Sequence, residues 1–164
     1  METKTASRRT EGLLTLFDMQ TTFFARAIEG ISVEDTYNRL NTRANHIAWL
    51  TGSLVQQRYA MTRETHPELK QTGDDLFKDN KGIQDDAKYP TAAEYLKDWE
   101  MISLVTREVL VNMDDEKLDS VIDMGFMKMT QYELLSFTIY REASIIGQLA
   151  LWRRLLNYPA LRYD

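Results

Sequence analysis

A chain of 164 residues without cysteine can bury about two thirds of the surface its unfolded form exposes, and it excludes a disulfide framework, a thiolate zinc site and a cysteine nucleophile. Its net charge of −5 and pI near 5.1 weigh against nucleic acid as a partner, because phosphate neutralisation needs clustered Lys and Arg and the densest basic spots, Arg8-Arg9 and Arg153-Arg154, are small. No apolar run has the length of a membrane span or the form of a signal peptide, so a single soluble, cytoplasmic domain with no membrane segment is expected.

In chain order, Leu13, Leu14, Phe17, Phe24, Ala25 and Ile28 form one stripe of a first helix, with Gly30 placed to end it. A second helix is expected from about Arg39 to Met61, with Leu40, Ala44, Ile47, Thr51, Leu54, Val55 and Tyr59 on one face. Residues 63–90 are polar, broken by Pro and Gly, and long enough to run back along the molecule, so that the second and third helices can lie parallel. This connection is either a surface crossover with a short helix near Leu69 or a functional, mobile segment. The third helix opens on a capping box, Thr91 with Glu94 after Pro90, and continues through Tyr95, Trp99, Ile102 and Leu110. The fourth opens on a second box, Thr130 with Glu133, and runs to Leu156, where Asn157 and Pro159 stop it. Nothing sustains period-two alternation. The expected class is therefore all-α, and helices of about 20–25 residues, about 30–38 Å long, suit a four-helix bundle with a long connection between helices 2 and 3.

The fourth helix carries apolar residues all round its axis, as expected if it packs on several sides or also pairs with a second copy in a homodimer. Gly147 lies inside it, at a cost of about 1 kcal/mol relative to Ala, which points to close approach by another helix or a ligand.

N-H-I-A-W-L at 45–50 and R-E-A-S-I-I-G-Q-L-A-L-W-R-R-L-L at 141–156, with weaker support from 89–99 and 114–119, resemble the DinB-like (YfiT-like) superfamily of helical-bundle proteins. The resemblance implies a four-helix bundle, often dimeric, and in many members a zinc or nickel ion held by one histidine from helix 2 and two from helix 4 in a pattern like H-E-A-x-H-x-G-Q. It also implies thiol-dependent S-transferase or metal-dependent hydrolase activity. His46 occupies the helix 2 ligand position, whereas Arg141 and Ile145 stand where the helix 4 histidines would be; Glu142, Ala143, Gly147 and Gln148 match their places.

Isoleucine has no lone pair, and an arginine about 4 Å from a divalent ion would repel it by roughly 8 kcal/mol at an effective dielectric of 20, twice the unit-charge value. The usual triad cannot form, so no metal is expected unless His66, Glu142 or Glu34 rebuilds the site. His46 is then either a partly buried, hydrogen-bonded residue or a ligand contact or general base. Arg141 is expected to face the interior, paired with Glu94, Asp98 or Glu133 or else with an anionic ligand. Three functions follow: a small-molecule or anion site formed by His46, Arg141, Ile145 and Gln148, which is favoured; an active transferase or hydrolase with a rebuilt site; or a non-catalytic dimeric interaction module.

Overall fold

The computed structural model describes residues 4–164. Four long helices pack together: α1 (Glu11–Ile28), α3 (Ile47–Thr62), α4 (Ala92–Asn112) and α6 (Gln131–Leu155). Between them lie two single-turn helices, α2 (Val33–Tyr37) and α5 (Asp115–Asp119), and a hairpin of β1 (Val121–Asp123) antiparallel to β2 (Lys128–Thr130). The chain is therefore mostly helical, as expected, with one small hairpin that was not. Strands of three residues are too short to show alternation; the local sign is the Met124–Met127 turn, where Gly125 takes φ +83°.

Both capping boxes form. Thr91 Oγ1 accepts from Glu94 N while Glu94 Oε2 accepts from Thr91 N at 2.8 Å, and Thr130 and Glu133 repeat the exchange. The start of α3 differs from expectation by eight residues. Leu40 and Asn41 adopt φ +47° and +59°, the Asn38 side chain accepts from Leu40 N, and Thr42 Oγ1 bonds both Arg39 O and Ala44 N. These short polar side chains give the backbone local partners that compete with a helix, so Leu40 and Ala44 lie outside it.

Cross-helix contacts fix the directions. Arg58 of α3 reaches Ser103 of α4 and Gly52 faces Tyr95, so α3 and α4 run parallel, as the long connection allows. Gln57 contacts Thr138 and Asn45 contacts Trp152, which makes α3 and α6 antiparallel. Gln20 Nε2 donates to Ile139 O at 2.9 Å, and Arg153 reaches Ala27; α1 and α6 are parallel. The connection has no helix near Leu69. It makes 3-10 turns at Asp74–Leu76 and Lys78–Asn80, and buried Phe77 and Tyr89 pin it to the core.

Two apolar clusters form, one around Phe24, Leu54, Trp99 and Leu149, the other around Phe17, Leu110, Leu118 and Leu135. Arg58 and Glu142, both fully buried, sit where they meet: the guanidinium stacks 3.5 Å from the Trp99 ring and 3.8 Å from Phe17. The close approach expected at Gly147 occurs instead at Gly52. A Cβ on Gly147 would meet open space, whereas one on Gly52 would overlap the Tyr95 hydroxyl and the Phe77 ring.

Candidate functional site

Between α3, α4, α6 and the hairpin lies a cavity of about 580 Å³, and Arg141 is part of its wall. The guanidinium is part-buried. Its Nη2 donates to Ser53 Oγ at 2.6 Å and its Nη1 to Gln57 Oε1. Gln57 is itself fixed, because its Nε2 donates to Thr138 O at 3.0 Å. Both partners of Arg141 are neutral. The three carboxylates expected to pair with it are engaged elsewhere: Glu94 and Glu133 in the capping boxes, and Asp98 accepting from Thr72 N at 2.6 Å. Burial pulls the Arg141 pKa below its ordinary value, yet a guanidinium stays charged at any physiological pH.

The cavity wall is cationic in an acidic protein. Arg63, Lys81 and Arg141 line it against one carboxylate, Glu64, and Glu64 already accepts from Lys117 Nζ at 2.7 Å. Trp49 also lines the cavity, and its buried indole N–H has no partner among the described residues.

The other site candidates are not gathered here. His46 is the N-cap of α3, and its Nδ1 accepts from Trp49 N at 3.1 Å. Its ring is buried between Tyr37 and Tyr89, with centroids 5.1 and 5.3 Å away. Arg141 contacts α3 at Ser53, two turns and about 10 Å further along the axis. Ile145 is buried in the larger apolar cluster, and Gln148 is exposed. The expected convergence of His46, Arg141, Ile145 and Gln148 is thus not what the fold assembles, because α3 begins at Ile47 and holds His46 at its end as the cap.

A metal of the kind the resemblance implies does not fit these residues. His46 spends its Nδ1 lone pair on the cap, Arg141 is a cation, and Ile145 offers nothing. Of the substitutes, Glu142 is committed to Arg58, His66 lies on the connection 3.6 Å from Glu68, and Glu34 is exposed on α2. Among the described residues no three His, Cys, Asp or Glu side chains are grouped to hold an ion.

Sequence reasoning missed the Arg58–Glu142 pair. Arg58 Nε and Nη2 donate to the two Glu142 oxygens at 2.9 and 2.8 Å, and Nη1 donates to Thr21 and Ser103. This fork-to-carboxylate geometry is the strong form of ion pair. Burial weighs against the Arg58 charge, and Glu142 offsets it.

The His46 cap gives a pH prediction. Desolvation lowers the native pKa of the ring, while the unfolded imidazole titrates near about 6.5. Below that value the unfolded chain binds a proton that the native cap refuses, so stability present above about pH 6.5 is lost as pH falls through the lowered native value. Urea unfolding between pH 7.5 and 5 is expected to show this loss, and His46→Asn, which offers a capping oxygen in place of Nδ1, is expected to flatten it.

No helix among the described residues is long and apolar enough to cross a membrane. Comparison of the chain with protein-family models, with curated proteins and with solved structures gave no match.

Proposed function

We propose that this chain is a four-helix bundle of DinB-like type that binds a small anionic molecule in the cavity beside Arg141, in place of the metal chemistry of the proteins it resembles. The observation that carries this reading is a part-buried guanidinium on a cavity wall whose hydrogen-bond partners among the described residues, Ser53 and Gln57, are both neutral. Such a charge is held for a carboxylate or another anion, since a buried cation left without one is costly. The parallel α3 and α4 joined by a long connection support the bundle type. Calorimetric titration with small carboxylates and inorganic phosphate tests the site. Binding to the wild type is expected to weaken about 10–100-fold in Arg141→Met, the effect of losing one charge-assisted hydrogen-bonding group. Equal affinity in the variant would count against the reading.

A second reading, a homodimer through α6, has its own support. Phe137, Tyr140, Leu151 and Leu155 are each more than half exposed and recur on one outer face of the helix at spacings of three, eleven and four. Sedimentation is expected to show a dimer at micromolar concentration that Tyr140→Glu with Leu151→Glu converts to monomer.

A further inference from the structure

We infer that the occupant of this cavity is an amphipathic anion, a carboxylate on an unbranched aliphatic chain of medium length. The inference rests on the reading of the cavity as an anion site and specifies its ligand class.

The cavity is polar at one level and mainly apolar beyond it. Arg141, Ser53 and Gln57 mark the polar level, and Trp49 and Lys81 also line the cavity, Trp49 one turn N-terminal to Ser53 on α3. From Ser53 towards the C-terminus of α3, α4 runs the same way and α6 the opposite way, so the walls beyond Arg141 are supplied by Met61, Leu110, Met113, Leu134 and Leu135, with Met124 reaching in from the hairpin turn. All six are apolar. Leu110, Met113 and Leu135 belong to the smaller core cluster, which gives this part a fixed floor. Methionine, with three rotatable bonds and a polarisable sulfur, adapts to a flexible chain better than a branched side chain does.

The dimensions agree with such a ligand. From Arg141 back to Gln131, the last lining residue on α6, is ten residues, about 15 Å at 1.5 Å per residue. At about 1.2 Å per bond, as in an extended backbone, that space takes a headgroup and roughly eight to ten carbons. A free phosphate would leave the apolar part unfilled, and an uncharged hydrocarbon would leave Arg141 without its anion.

The test is a calorimetric series of straight-chain carboxylates from acetate to decanoate, with 1-octanol and inorganic phosphate as companions, against the wild type, Arg141→Met and Leu134→Gln. Affinity is expected to rise about fourfold per methylene, as transfer of one methylene from water predicts, up to octanoate or decanoate. Arg141→Met is expected to weaken octanoate about 10–100-fold, and Leu134→Gln to weaken octanoate while leaving acetate unchanged. If acetate, phosphate and octanoate bind equally and all depend on Arg141, the aliphatic tail is wrong and the anion site stands. If 1-octanol binds as well as octanoate, the charge is not recognised and the inference is overturned. If no member of the series depends on Arg141, the anion site fails and this inference with it. Unfolding midpoints of both variants close to the wild type's separate these results from loss of fold.

Discussion

Glu142→Ala is expected to destabilise the protein by about 3–5 kcal/mol, the cost of leaving a buried charge without its partner. Among the described residues Glu142 is the carboxylate bonded to the buried Arg58 guanidinium. Its removal leaves Nε and Nη2 facing a gap among the Phe17 and Trp99 rings. Replacing both charges at once, Arg58→Met with Glu142→Leu, is expected to recover most of the loss, since an apolar pair of similar volume is often neutral or stabilising. Urea unfolding of the four proteins measures the coupling directly. Single-variant losses under about 1 kcal/mol would mean that water reaches the pair.

Gly52 of α3 and Gly147 of α6 are expected to respond in opposite senses to alanine. Gly147→Ala should gain up to about 1 kcal/mol, because the added methyl meets open space and the unfolded chain loses freedom. Gly52→Ala should lose about 1–3 kcal/mol, the range for overpacking a filled core. The obstructing Tyr95 is fully buried, and Phe77 nearly so, so neither swings aside freely. Thermal unfolding is expected to place the two midpoints on either side of the wild type.

These glycines also mark how far the sequence could be read. Two capping boxes located the starts of α4 and α6 to within a residue, because those signals are local and physical. The run from Arg39 looked helical by its apolar spacing, yet Asn38, Thr42 and the left-handed Asn41 held the backbone in turns, a competition that periodicity does not register. Neither glycine revealed its surroundings, since close approach depends on what another helix brings to it. The charged residues follow the same rule. Arg141 was read as an interior-facing cation from its helical neighbours, but its partners Ser53 and Gln57 depend on the antiparallel register of α3 and α6. Arg58 and Glu142 lie 84 residues apart, and no spacing rule links them. His46 was placed by a motif, and the cap it forms became visible only once α3 had a first residue.

The separation of Arg58 from Glu142 bears on how the protein comes into being. At about 5–20 residues per second, a ribosome adds the intervening 84 residues in roughly 4–17 s, and throughout that interval the guanidinium lacks the carboxylate that pairs with it in the folded core. The first three long helices, already made, must wait for the fourth before their shared centre can dry, so closure of the core is a late event in the life of the nascent chain.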